Sequence, residues 1–145
     1  MNAFGPSRGE AIHTETFLGN PLTMAAANAV LDVLEDKGVQ DQMGKRSDHL
    51  ARIMHELSVA LGPRSAGVVG RGLMLGIPIL NPDSGAPDPN TTGQMMKAAL
   101  DHGVIVLGGG VHGNVLQCTP PLLITPEDLD AFAAKAHIAL SRWTI

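Results

Sequence analysis

A five-residue apolar pattern in the first half of the chain constrains the fold more than any other feature. Within residues 39–61, large apolar side chains recur three and four positions apart, which places them on one face of a helix. These residues are Leu50, Ile53, Met54, Leu57 and Leu61. A one-sided helix must bury its apolar face against a second layer. Gly62 and Pro63 predict where this helix ends.

A second helix is predicted directly before this one. Asn20 can cap the free N–H groups of a helix that begins at Pro21. The following stretch, as far as Leu34, is rich in alanine and apolar nearly all round. We therefore expect this helix to be buried on most sides, and Lys37 and Gly38 predict its end.

The second half of the chain has the pattern of a small α+β unit. Short apolar runs predict strands near residues 68–69, 73–77, 104–107 and 115–119, the third of them buried, and the glycines at 108–110 predict a turn. Residues 95–100 predict a short helix, and Thr125 with Pro126 predicts the start of the last helix. Because the strand connections are hairpin-like or helical, we expect an antiparallel or mixed sheet. The predicted fold class is α/β, with two long helices followed by a small, mostly antiparallel sheet with helices.

Composition excludes several classes of partner. The chain has 145 residues and a formal net charge of −4, so it has no basic surplus to neutralise nucleic-acid phosphates. No uninterrupted apolar run approaches the length that spans a bilayer, and no signal peptide is recognisable. One cysteine, Cys118, allows no internal disulfide and fits a reducing compartment. We expect a cytoplasmic protein with neither a nucleic-acid nor a membrane partner.

The usual catalytic and metal-binding patterns are not found in the sequence. The six histidines show no ligand spacing. Gly70, Gly72 and Gly76 do not match a dinucleotide fingerprint and predict a tight turn between strands. Cys118 falls on a predicted buried strand, where most cysteines are small core residues. We therefore predict neither a catalytic residue nor a metal site in this chain.

Residues 13–21, HTETFLGNP, concentrate hydroxyls and backbone N–H groups just before a helix N-terminus. Such an arrangement can hold an anion through hydrogen bonds and the helix dipole. A capped helix with a polar lead-in explains the same residues, because helix caps of this kind are common. The residues alone leave both interpretations open.

Four segments, in order, resemble the class III family of pyridoxal-phosphate (PLP) aminotransferases. Residues 13–21 resemble the family's His-x-x-Thr-Phe/Tyr-x-Gly-Asn-Pro segment, and residues 70–76, GRGLMLG, its Gly-x-Gly-Leu-Met-x-Gly turn. Residues 102–106 resemble its Gly-Val/Leu-x-Val strand, and residues 113–129 its closing strand and helix. The similarity covers nearly the whole chain, but only the C-terminal part of such an enzyme.

The resemblance implies a fold-type I homodimer in which a large domain carries PLP and a small C-terminal domain closes over it. Residues 1–63 would be a remnant of the large domain with the linking helices, and residues 64–145 the small domain. Thr16 would reach across the dimer to the PLP phosphate of the other subunit, and the backbone of Glu15 could assist. The complete enzyme would transfer an amino group between an amine or amino acid and an oxo acid.

Two features depart from the family pattern. The lysine that binds PLP in the family lies upstream of the Thr-Phe-x-Gly-Asn-Pro segment, and no lysine here sits in a matching motif. The lysines of this chain are Lys37, Lys45, Lys97 and Lys135. The chain is therefore not expected to transaminate by itself. Where many family members carry an arginine before two prolines, this chain has Gln117, predicted to line the substrate site. Gln117 cannot make a charged fork to a carboxylate, and Arg71 is a candidate for that role.

Two other interpretations remain open. The chain could be a non-catalytic module that binds a protein partner through apolar surface, with Trp143 and the alanine-rich helix in contact. It could also be an unrelated α+β domain that holds a phosphate compound at residues 15–17. A discrete oligomeric state would favour the protein-binding module. Phosphate affinity without a dimer partner would favour the phosphate-binding domain.

Overall fold

A computed structural model describes residues 16, 17 and 19–144 of the chain. Along the sequence it has four α-helices and four short strands in the described part, with 3-10 turns after α2 and α4. The elements are α1 (Pro21–Glu35), α2 (Lys37–Ala60), β1 (Val69–Arg71), β2 (Met74–Pro78), α3 (Pro89–Asp101), β3 (Leu107–Gly109), β4 (Val115–Cys118) and α4 (Pro126–Leu140). The chain divides into two compact units, and the division falls between Val39 and Gln40.

Helix α1 begins as predicted, but its surroundings differ from the prediction. The Asn20 side chain accepts hydrogen bonds from the backbone N–H groups of Leu22 and Thr23, at 3.0 and 3.3 Å. Not one residue of α1 is buried, so the expected burial on most sides is wrong. The described part of the first unit contains no second apolar layer against which α1 could pack.

The boundary between α1 and α2 is set by Asp36. Its backbone is extended, with ψ of 121°, which ends α1 at Glu35. Its carboxylate then accepts the N–H of Val39 at 2.9 Å, as an N-cap does. The predicted stop at Lys37 and Gly38 is therefore wrong, because a capping aspartate one residue earlier already starts the next helix.

The apolar pattern of α2 forms the centre of the second unit's core, as predicted. Its five apolar side chains are buried, with exposed fractions of 3% or less. They pack with inward-facing residues of β2 and β4, with Met95 of α3, and with the apolar face of α4. Leu129, Ala136 and Leu140 supply that α4 face, and Trp143, in the 3-10 turn after α4, packs in the same core. The predicted boundary between the linking helices and the small domain, at residues 63 and 64, stays a prediction.

The sheet is antiparallel throughout, as the short connections predicted. Its strand order is β1-β2-β4-β3, with Gly76 opposite Gln117, and Gln117 opposite Leu107. The turn between β1 and β2 uses Gly70 and Gly72, with φ of +110° and +61°. This confirms the tight turn expected from the glycine pattern.

The third strand lies further along the chain than predicted. Pairing with β4 begins only at Leu107 and runs to Gly109, and Ile105 is 82% exposed. Strand β4 ends at Cys118, shortly before Pro120 and Pro121, which cannot donate backbone hydrogen bonds. Residues 104–106 therefore have no strand residues of β4 with which to pair. The expected turn at residues 108–110 therefore lies later, where the N–H of Gly113 donates to the carbonyl of Gly110.

The two remaining helices begin at capping side chains. Thr125 accepts the N–H of Asp128 at the start of α4, as predicted. Helix α3 is longer than predicted, because Asp88 accepts the N–H of Thr91 and starts it at Pro89. No helix in the described part of the chain is long and apolar enough to cross a membrane.

Candidate functional site

The sheet has one face in the core and one face outside it. Leu75, Ile77, Leu116 and Cys118 point into the core. Because successive residues of a strand alternate between faces, their neighbours occupy the other face. We call this second surface the open face; it is formed by Val69, Arg71, Met74, Gly76, Leu107, Gly109, Val115 and Gln117.

Gln117 lies in the middle of the open face. It is exposed, and the register places it between Gly76 of β2 and Leu107 of β3. Its side-chain amide lies against the α-carbon of Gly109, where an added Cβ would collide with it. The glycine at position 109 therefore leaves the space in which the Gln117 amide rests.

A shallow cavity of about 160 Å³ opens beside Gln117. Its walls include Val69, Met74, Gly76, Val115 and Thr119. Arg71, on the same face of the edge strand, is also exposed. The open face thus combines a neutral amide that can donate and accept hydrogen bonds, a guanidinium and apolar walls. These groups suit a small polar ligand.

Thr16 lies on the surface, in the segment before α1. Thr16 and Phe17 are exposed, and the chain then turns, with the N–H of Asn20 donating to the carbonyl of Phe17 at 3.0 Å. Asn20 uses the N–H groups of Leu22 and Thr23 for its cap. The capped helix is therefore confirmed, and its cap already uses these two N–H groups of the first turn of α1.

The sequence-predicted site residues fall in different units. Thr16 belongs to the first unit and Gln117 to the second. Glu15 lies outside the described residues. The four lysines all lie on helices, and Lys97 forms an ion pair with Asp101 at 3.0 Å. The roles of Thr16, Glu15 and Gln117 stay predictions.

Cys118 is a core residue rather than a nucleophile. Its side chain is buried and packs in the main core. Burial raises the pKa of the Cys118 thiol to about 11, because the thiolate is poorly solvated there. The thiol is therefore protonated at neutral pH, as the prediction of a small core residue requires.

Sequence and fold comparison decide the family. The family Aminotransferase class-III matches residues 1–140. The chain belongs to the class III aminotransferases. Its relatives include acetylornithine aminotransferase of Streptococcus mutans, 36% identical over 131 residues, which cover 88% of this chain and 30% of that protein. Ornithine aminotransferase of Bordetella pertussis is 38% identical over 127 residues, which cover 87% of this chain and 28% of that protein.

The fold agrees with the class III assignment. A phospholyase from Arthrobacter, solved in complex with phosphoethanolamine, superposes with a TM-score of 0.76 at 27% identity. The similarity covers 90% of this chain and 31% of that one. The chain thus spans less than a third of the length of each of these relatives.

Sequence reasoning missed the glycines that shape the open face of this class III chain. Gly76 lies in β2, within the predicted strand 73–77, and the sequence pattern did not show that an added Cβ there would come within 2.6 Å of Val115. Gly109, expected in a turn, lies beneath Gln117. A glycine inside a predicted strand signals the close approach of another group, and this was the available clue.

The described residues contain no group of three or more histidine, cysteine, aspartate or glutamate side chains that could hold a metal ion. Two of the histidines bond within the fold. His49 Nε2 lies 2.9 Å from Asp130 Oδ1, and His102 Nδ1 lies 2.9 Å from the carbonyl oxygen of Ala98. Neither contact belongs to the open face of the sheet.

Proposed function

We propose that this chain is the C-terminal part of a PLP-dependent aminotransferase that transfers an amino group between an amine or amino acid and an oxo acid. The observation that carries the proposal is the class III match along residues 1–140, in a chain much shorter than its relatives. The names of the two relatives, acetylornithine aminotransferase and ornithine aminotransferase, both denote amino-group transfer. We also propose that the complete enzyme is a homodimer and that it is located in the cytoplasm.

The proposed cofactor contact of this chain is at the phosphate end of PLP. PLP supplies an electron sink for the amino-transfer reaction when it is bound. The exposed Thr16 hydroxyl can donate to a phosphate oxygen of the other subunit's PLP, and the backbone of Glu15 is proposed to assist. The lysine that binds PLP would come from a part of the enzyme outside these 145 residues.

The first experiment is the intact mass of the protein isolated from its own cells, together with its PLP content. We expect a mass well above 15.1 kDa, with residues 16–21 inside the sequence and PLP bound to a lysine other than the four named above. A chain of 15.1 kDa without PLP would overturn the proposed activity. Aminotransferase assays on the longer protein, with a panel of amino donors and oxo acids, then test the reaction.

The role of Thr16 is tested by PLP retention in the full-length enzyme. Thr16→Ala removes a hydrogen bond to a charged phosphate and should weaken PLP binding by roughly tenfold or more. Thr16→Ser keeps the hydroxyl and should retain most of the affinity. Thr23→Ala, a change at another exposed threonine seven residues later, in the first turn of α1, is the control. Unchanged PLP retention in Thr16→Ala would contradict the role.

The role of Gln117 is tested by steady-state kinetics. We propose that its amide binds a polar group of the substrate beside the apolar walls of the open face. Gln117→Ala should raise KM by roughly two- to tenfold, the effect of losing one neutral hydrogen bond, without changing PLP content. Gln94→Ala, at an exposed glutamine of α3, is the control. Equal KM values in all three proteins would remove Gln117 from the substrate site.

A further inference from the structure

A second cavity, of about 410 Å³, lies between α2 and the first residue of α4. We call it the α2–α4 cavity. It is lined by Gln42, Lys45, Arg46, Asp48, His49, Arg52 and Pro126. Lys45, His49 and Arg52 are four and three residues apart, so they share one face of α2. All of these residues belong to the second unit, and none belongs to the open face of the sheet.

The charge of this cavity is opposite to that of the whole chain. Three lining side chains, Lys45, Arg46 and Arg52, are cationic, and Asp48 is the one carboxylate among the lining residues. Asp130, whose carboxylate contacts His49, is a second carboxylate beside the cavity, so cationic side chains outnumber carboxylates there by one, whereas the chain has a formal net charge of −4. Such a local concentration of cations in a concave surface raises the concentration of anions there.

Two of the lining side chains are held in place by contacts with residues outside α2. Arg46 is half-buried, and its Nη1 donates to the carbonyl of Leu122 at 3.4 Å. His49 Nε2 lies 2.9 Å from Asp130 Oδ1, and the His49 side chain is only 16% exposed. The cavity is therefore partly preorganised, which lowers the entropy lost when a ligand binds.

Arg46 also has an unused hydrogen-bond donor. Its Nε atom is shielded from solvent and has no partner among the described residues. Buried polar groups are normally paired, so an unpaired donor on a cationic side chain at a cavity needs an explanation. An acceptor that enters the cavity and draws the guanidinium into a two-point contact would supply that partner.

We propose that the α2–α4 cavity binds a small dianionic phosphoryl group, carried by inorganic phosphate or by a phosphate monoester. Arginine binds the oxygens of such a group at two points, and the three cationic side chains of the lining offer more donors than a single carboxylate can use. The volume is that of a small-molecule site. The lining contains no Phe, Tyr or Trp, so it offers no large aromatic platform on which nucleic-acid bases could stack.

The test is calorimetric titration of the whole protein, at its natural length and saturated with PLP, so that the cofactor's own phosphate site is occupied. The titrants are inorganic phosphate, phenyl phosphate and acetate at equal ionic strength. Lys45→Gln and Arg52→Gln, both at exposed positions, should each weaken phosphate binding by roughly tenfold. Lys37→Gln removes the same charge from the same helix outside the cavity, and it should leave binding unchanged.

The outcomes separate the possible sources of the phosphoryl group. Tighter binding of inorganic phosphate would indicate free phosphate, and tighter binding of phenyl phosphate would indicate a phosphorylated metabolite. Phosphate binding no stronger than acetate binding, or equal losses in Lys45→Gln and Lys37→Gln, would overturn the proposal. The PLP content of the same preparations reports separately on the proposed aminotransferase, so failure of one proposal is distinguishable from failure of the other.

Discussion

At the residue scale, Gly70 and Gly44 differ in whether the backbone at their position requires glycine. Gly70 has φ of +110°, and a Cβ added there would collide with the backbone carbonyl of Met74. Gly44 lies within α2 and has open space where its Cβ would be. The turn between β1 and β2 therefore needs glycine, whereas the helix would be more stable with alanine.

The substitutions Gly70→Ala and Gly44→Ala should shift stability in opposite directions. Gly70→Ala forces a strained backbone and should destabilise the second unit by about 1–3 kcal/mol. Gly44→Ala should stabilise it by about 0.5–1 kcal/mol, because alanine loses less backbone entropy in a helix. Urea unfolding of the two variants beside the original chain measures both effects. Destabilisation by the same amount in both variants would contradict the conformational argument.

At the scale of single elements, side-chain caps determine where the helices begin. Asn20, Asp36, Asp88 and Thr125 each accept a backbone N–H in the first turn of the following helix. For Asp88, the hydrogen bonds from Thr91, backbone first, lower the pKa of the carboxyl. An aspartate cap stabilises the helix most when its carboxyl is ionised. The carboxylate accepts the hydrogen bond and also interacts favourably with the positive end of the helix dipole.

Asp88→Ala should destabilise the second unit by about 1 kcal/mol, the usual effect of losing an N-cap. Asp88→Asn keeps an acceptor and should lose less. Since the pKa of Asp88 is lower in the folded state, its contribution is present above the ordinary value of 3.8 and is lost as the pH falls below it. Thermal unfolding at pH 7 and pH 3 measures this, and the difference between Asp88→Ala and the original chain should shrink at pH 3.

The two units of the whole molecule differ in how they use apolar residues. In the second unit, α2, α3, α4 and the sheet share a continuous core. In the first unit, α1 leaves six large apolar residues exposed: Leu22, Met24, Val30, Leu31, Val33 and Leu34. Apolar residues concentrated on one exposed helix indicate a surface that is covered in a larger assembly.

The 145-residue chain by itself should therefore associate through α1. A triple variant, Leu22→Gln, Val30→Gln and Leu31→Gln, should reduce its self-association in light scattering, because these side chains are 80%, 58% and 53% exposed on one helix. The control is Val59→Gln, Leu100→Gln and Ile138→Gln, which removes similarly exposed residues from three different helices. A larger effect of the control triple would show that α1 is not the associating surface.

Local signals in the sequence were sufficient for most of the elements. The spacing of the apolar residues in α2, the caps at Asn20 and Thr125 and the glycines of the β1–β2 turn act over a few residues, and all are confirmed. The family could also be inferred, because four short motifs occur in order. The length of α3 was underestimated, although Asp88 and Pro89 carried the signal for its start.

Only the tertiary structure decided the features that depend on residues distant in sequence. Strand β3 pairs where β4 offers a partner, not where the apolar run lies. Gln117 rests on Gly109 because two strands bring them together. Whether the apolar side chains of α1 are buried depends on which layers lie beside it. Periodicity reports the face a helix could bury, whereas burial itself requires a second surface, and spacing along one chain segment does not supply it.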